Sequence, residues 1–186
     1  MSLHRDAVGV LSGWVAPTPA EEALRAEFLD HLAAHDDAML RGCVPGHLTA
    51  TTAVLSHDGA RVLLTLHPKA GMWLPMGGHC ETSDLSLADV ALREATEESG
   101  ILGLELLSGP LALDKHRVWC HPPHSWHLDV EYAAVAPAGA EAVISEESLD
   151  LRWFLVGEIP ELSDEATRRL AARGQAVLTS GSRVVG

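Results

Sequence analysis

Three glutamates crowd the last turn of one short predicted helix: Glu94, Glu97 and Glu98, in the run Arg93-Glu94-Ala95-Thr96-Glu97-Glu98-Ser99-Gly100-Ile101. Offsets of three and four residues put these carboxylates on one helical face. Like charges so placed repel, at roughly 0.2 to 0.5 kcal/mol per pair in a free helix. Gly100 marks the helix stop, so the acids also meet the negative end of the helix dipole. A bound hard cation such as Mg2+ removes both penalties. The plainer alternative is a solvated surface, since Arg93 lies four residues from both Asp89 and Glu97 and can bridge them.

The segment just upstream favours the cation. Pro75-Met76-Gly77-Gly78-His79-Cys80-Glu81-Thr82-Ser83-Asp84 is a glycine-bearing loop that feeds the helix. Adjacent glycines let a phosphate or a metal approach the backbone without meeting a Cβ. Loop and helix together resemble the Nudix box: a Gly, five residues, a Glu, seven residues, then R-E-U-x-E-E-x-G-U, with U usually aliphatic. Gly78 fits the first position, and Arg93, Glu94, Glu97, Glu98, Gly100 and Ile101 fit the downstream half without a gap, with Ala95 a small occupant of a U position. The chain departs from the pattern twice. Asp84 stands at the Glu position, and eight residues, Leu85 to Leu92, separate it from Arg93. Counting back seven lands on Leu85, which has no carboxylate, so the extra residue must be absorbed between His79 and Ser86.

Composition sets compatible bounds. A chain of 186 residues with 47% hydrophobic content can fill one core with an appendage. No run approaches a membrane span, and no basic stretch followed by an apolar block opens the sequence, so a cytoplasmic location is expected. Cys43, Cys80 and Cys120 are widely spaced and include no C-x-x-C pair, which argues against a disulfide framework and against a cysteine zinc cage. The net charge of −13, with two lysines against eleven arginines, repels nucleic acid polymers and acidic membranes. A small phosphorylated substrate is compatible with that charge when divalent ions neutralise it locally.

Along the chain, Thr18-Pro19-Ala20-Glu21 reads as a capped helix start, with Leu24, Phe28, Leu32 and Met39 on one apolar face. That face packs on the core or on a partner, a homodimer being one such use. His31, His35, Asp36 and Asp37 close this helix, either as ligands or as a solvated end. Residues 1–45 are read as a helical extension and 46–186 as the hydrolase-like domain. Leu48–Leu55 and Arg61–Leu66, joined through His57-Asp58-Gly59, read as a β-hairpin. Short strands are expected at Leu104–Leu107, Leu111–Leu113 and Leu151–Phe154. A longer one is expected at Trp126–Val135, with Leu128, Val130 and Tyr132 on one face. Ser163 is read as the cap of a last helix ending near Gly174. The resemblance implies an α/β (α+β) fold: an α/β/α sandwich with a mixed β-sheet.

It also implies a function: hydrolysis of a diphosphate linkage in a nucleoside diphosphate joined to another moiety, with Mg2+ or Mn2+ as cofactor. Glu94 and Glu98 would ligate the metal, Glu97 would be a third ligand or the base, and the Gly77 carbonyl a further ligand. Arg93 would orient a neighbouring glutamate, and Gly78 and His79 would lie near phosphate. Glu146, before the strand holding Trp153, is a candidate extra carboxylate, against the alternative of an acidic surface loop. Asp129 and Glu131 alternate with apolar residues, and periodicity does not choose between cleft and solvent for them. His121, His124 and His127 recur every third residue and could form an open zinc site, but Pro122 and Pro123 block the helix that would converge them. A substrate-facing loop and plain surface histidines are the alternatives. Trp73, Trp119, Trp126 and Trp153 could stack on a base, although tryptophan in a small sandwich is more often core. Two further functions compete: a nucleotide-sensing module without turnover, and an allylic-diphosphate isomerase, which would need an activated cysteine such as Cys80 or Cys120.

Overall fold

Ten residues, Gly46–Leu55, nine of them buried, form the strand around which everything else is ordered. The computed structural model describes residues 2–118, 120, 125–145 and 148–181. In chain order its elements are α1 Leu3–Gly13, α2 Pro19–Ala34, β1 Gly46–Leu55, β2 Arg61–Leu66, β3 Trp73–Leu74, β4 Met76–His79, α3 Leu87–Ser99, β5 Glu105–Leu106, β6 Ala112–Val118, β7 Ser125–Val135, β8 Leu151–Leu155 and α4 Glu165–Thr179. Strand β1 runs parallel to β7 from Gly46 opposite Trp126 to Leu55 opposite Val135. Its other edge is shared antiparallel by β4 and β2. Beyond β7 lie β6 and β5, and beyond β2 lie β3 and β8, all antiparallel. The result is a mixed, curled sheet with four helices, the α+β sandwich that the resemblance implies.

Side chains alternate faces along each strand. Leu128, Val130 and Tyr132 of β7 join Leu48 and Ala50 of β1 beneath Val90 and Ala91 of α3, with Phe28 and Leu32 of α2 in the same cluster. Ala133, Ala53 and Leu55 lie on the opposite face, under Leu170 and Ala171 of α4. The odd-numbered residues of β1 and β7 therefore face α4, and that face holds His47, Thr49, His127, Asp129 and Glu131.

The N-terminal helices are built into this core. Ser2 caps α1, and Ala7 and Leu11 are buried in the cluster with Phe28. Asp6 Oδ2 accepts from the Leu87 N–H at 2.8 Å, so α1 supplies an anionic partner to the first turn of α3. Thr18 caps α2 as read from sequence, accepting from the Glu21 N–H. Glu21 pairs in turn with Arg173 of α4.

Several local readings change. Helix α1, whose Leu3, Ala7 and Leu11 recur every four residues, is an addition. Strand β6 runs on to Val118, since its residues through Asp114 and His116 pair with β7. Asp164, not Ser163, caps α4, accepting from the Thr167 N–H at 2.7 Å, while Ser163 Oγ donates to the Trp73 carbonyl. The helix also passes through Gly174 instead of stopping there. A Cβ on Gly174 would sit 2.8 Å from Ala133 Cβ, so the glycine lets the helix lie close on the sheet.

Candidate active site

The glycine loop becomes β4, a turn, and the start of α3. Ser86 caps the helix by accepting from the Asp89 N–H, and Gly100 ends it with φ of 66°. Between them the irregular loop closes on itself: the Asp84 N–H donates to the Glu81 carbonyl and the Glu81 N–H to Asp84 Oδ2. The extra residue is thus taken up before α3 begins, and the helical register of the glutamates is undisturbed.

Arg93 ties loop to helix. Its Nε donates to Asp84 Oδ1 at 3.1 Å and its Nη2 to Asp84 Oδ2 at 3.0 Å, a two-pronged pair in which Asp84 is nearly buried. Nη2 also reaches the His79 carbonyl at 2.9 Å. Nη1 reaches Glu94 Oε1 at 2.9 Å and Glu97 Oε2 at 3.3 Å. Burial alone would raise the Asp84 pKa, but hydrogen bonds from Arg93 and the Glu81 N–H outweigh it and hold the carboxyl below its ordinary value. The Arg93 guanidinium is pushed the other way, chiefly by Asp84.

Glu94 is mostly buried against the loop. A Cβ on Gly78 would lie 2.6 Å from Glu94 Oε1, so only glycine leaves room for that carboxylate. Gly77 is confined differently: a Cβ there would meet the Ala50 carbonyl at 2.7 Å and Thr51 Cα at 2.8 Å. The Glu97 side chain is 61% exposed, and Glu98 is half-buried on the same helix face. Glu94 alone is placed against the glycine backbone; Glu97 and Glu98 share its helix face, and all three offer hard oxygen donors of the type that Mg2+ takes.

The face turned toward α4 carries a second polar group. His47 is fully buried, and His79, Cys120 and His127 are half-buried beside it. Desolvation and neighbouring imidazoles push His79 down to about 4 and His127 to about 3, so both rings are neutral near pH 7. Asp129 is buried and accepts from Thr49 Oγ1 at 2.9 Å. Glu131 accepts from Arg169 Nη2 at 2.8 Å, yet burial dominates and pushes its carboxyl up to about 8. The two acids that periodicity left undecided are thus interior.

Other candidates fall elsewhere. Trp73 is in the cluster under α4, edge-on to Phe154 with centroids 4.9 Å apart. Trp126 is covered by Lys115, its Nζ 4.4 Å from the ring centroid. Trp153 packs against the cluster beneath Ile101. Cys80 is buried against the Leu48 carbonyl, and burial pushes its thiol up to about 12, which denies the isomerase reading an activated nucleophile there. At the end of α2, His35 and Asp37 do converge, with Cys43, while His31 Nε2 contacts the Gly46 carbonyl. Glu146, Trp119, His121 and His124 lie outside the described residues. Among the described residues, His127 stands with His47, His79 and Cys120. No spacing rule finds that grouping, because strand register creates it.

The NUDIX domain family model matches residues 46–173. The chain belongs to the NUDIX family, and is an enzyme of the Nudix hydrolase type. A NUDIX-family hydrolase from Clostridium perfringens superposes with a TM-score of 0.57 at 25% identity, over 71% of this chain and 97% of that one. An Ap4A hydrolase from C. elegans gives 0.57 at 16%, over 72% and 98%. The NUDIX domain of Shewanella oneidensis NrtR, solved with ADP ribose, gives 0.50 at 23%, over 81% and 97%. These last two show the fold alone. No curated protein matches the chain in sequence. Members of this family generally use a divalent metal. Among the described residues no helix is long and apolar enough to cross a membrane.

Proposed function

We propose that this protein hydrolyses a diphosphate linkage in a nucleoside diphosphate joined to another moiety, using Mg2+ held by Glu94, Glu97, Glu98 and the Gly77 carbonyl, with Mn2+ as a substitute. The observation that carries the reading is the Arg93 network, which fastens loop and helix so that Glu94 lies against Gly78 while Glu97 faces outward. When bound, the cation offsets charge developing on phosphoryl oxygens and lowers the pKa of the attacking water. The chain's own part is positional. Arg93 holds Glu94 and Glu97 in place, and Glu97, the exposed carboxylate of the network, would serve either as the third ligand or as the base that takes the proton of the water attacking phosphorus as the bridging P–O bond breaks. Glycine at 77 and 78 lets the Ala50–Thr51 backbone and the Glu94 carboxylate close on the loop.

Residues 46–186 are the catalytic unit in this reading and residues 1–45 its helical appendage. The substrate is small, and the location is cytoplasmic. A panel beginning with Ap4A and ADP-ribose, incubated with Mg2+ and resolved by chromatography, tests the activity. Wild type is expected to release nucleotide or phosphorylated fragments, and Glu98→Gln to lose at least about 100-fold in rate, as when a preorganised charge-stabilising group is removed. Equal inertness of both proteins across the panel would end the hydrolase reading and leave a ligand-sensing module.

A further inference from the structure

We propose that His47, His79, Cys120 and His127 form a four-coordinate zinc site on the face of the sheet turned toward α4. The four side chains come from separate parts of the chain: β1, β4, the connection after β6, and β7. Parallel register sets His47 beside His127. Antiparallel register sets His79 opposite Thr49, two residues along the same face from His47. The three imidazole centroids form a nearly equilateral triangle, with sides of 5.1, 4.9 and 5.0 Å. One ligand atom from each of the four residues lies within 4.8 Å of the other three.

The sulfur distances match a metal site. Bonds of about 2.3 Å to sulfur and about 2.05 Å to nitrogen, at a tetrahedral angle, hold the two ligand atoms about 3.6 Å apart. Cys120 Sγ lies 3.6 Å from His79 Nε2 and 3.6 Å from His127 Nε2. A thiol can donate to one imidazole and accept from the other; a zinc ion replaces both contacts with bonds to a thiolate and to two imidazole lone pairs at the same separation. The donor set selects the ion. Three imidazoles and a thiolate suit tetrahedral zinc and are wrong for Mg2+, which takes oxygen.

Four protein ligands close the coordination sphere, leaving no position for water or substrate, so the site is structural. It fastens Cys120 to β1, β4 and β7. It also reaches the catalytic loop, because the residue whose imidazole joins the cluster offers its carbonyl to Arg93 Nη2 at 2.9 Å. His116 stays outside the set: its ring is 5.2 Å from that of His127, and its Nδ1 is 2.9 Å from Asp114 Oδ2.

The test is metal content, measured on full-length protein isolated without chelator and dialysed against Zn2+. Wild type and Glu98→Gln are expected to carry one zinc per chain, and the Cys120→Ser/His127→Gln double variant none. Cobalt in place of zinc should give tetrahedral visible bands with a thiolate charge-transfer band, and Cys120→Ser alone should remove the latter. Alkylation of Cys120 should slow by about tenfold or more with Zn2+, and not with Mg2+, because a coordinated thiolate is a poor nucleophile. Thermal unfolding guards against a merely misfolded variant: with EDTA all forms should unfold alike, and added zinc should raise wild type and Glu98→Gln but not the double variant. Wild type that holds no zinc, or zinc kept by the double variant and lost from Glu98→Gln, would overturn the proposal. Because none of these readouts needs turnover, their failure is distinct from failure of the hydrolase reading.

Discussion

Asp84 and Arg93, nine residues apart and on opposite sides of a helix cap, meet through two parallel hydrogen bonds of 3.1 and 3.0 Å. Asp84→Asn keeps one acceptor and removes the charge that Arg93 faces. The expected cost is about 3 kcal/mol, the lower end for breaking one partner of a largely buried pair, since Arg93 retains Glu94 and Glu97. Urea unfolding at constant m-value measures it, and a loss below about 0.5 kcal/mol would show that the pair is mere surface decoration. The pKa of Asp84 is depressed in the folded state, so its contribution is complete above the ordinary Asp value and fades as pH falls through the folded one.

Gly77 and Gly78 predict opposite phenotypes for the same substitution. At Gly78 the new methyl meets the mobile end of Glu94, which can swing aside. Gly78→Ala should therefore leave the unfolding temperature nearly unchanged while displacing a proposed metal ligand, costing on the order of 100-fold in rate. At Gly77 the obstacle is backbone, so Gly77→Ala should destabilise by about 1–3 kcal/mol, an overpacking cost. Scanning calorimetry beside a rate assay separates the two, and identical behaviour of both variants would refute the distinction.

At Gly174, propensity and packing compete. Alanine gains up to about 1 kcal/mol in a helix interior. Its Cβ, however, would lie 2.8 Å from Ala133 Cβ, and overpacking costs about 1–3 kcal/mol. Gly174→Ala is expected to lower the unfolding temperature, and Ala133→Gly in the same chain to restore part of it. A stabilised single variant would mean that α4 moves off the sheet without cost.

Glu131 governs a slope in stability with pH. Its folded carboxyl sits at about 8, against an ordinary 4.5. Between those values the unfolded chain has released the proton and the folded chain keeps it, so stability falls as pH rises from about 4.5 to 8. Glu131→Gln keeps an acceptor for Arg169 and abolishes this slope. Relative to wild type, the variant should gain stability between pH 5 and pH 8, as read from unfolding temperatures across that range, and parallel curves would contradict the assignment.

What could be read from the chain alone was local. The helix ending Glu97-Glu98-Ser99-Gly100 and the hairpin around Asp58-Gly59 are specified by residues within one turn of each other. The same holds for the face Leu128, Val130, Tyr132, since periods of 3.6 and 2 are visible without a partner. In helix α1, Leu3, Ala7 and Leu11 recur every four residues, but what they pack on, Phe28 and its neighbours, is fixed only by the tertiary structure. Strands β3 and β4 are too short to show a period.

The sequence by itself determined the acidic helix, its glycine loop and the family to which they belong, because those features sit in contiguous residues with fixed offsets. Tertiary structure alone decided that Asp84 would face Arg93, that Asp129 and Glu131 would be interior, and that His47, His79 and His127 would share one face with Cys120 beside them. Each of those meetings depends on strand register or on loop closure, and register is set by the whole sheet at once.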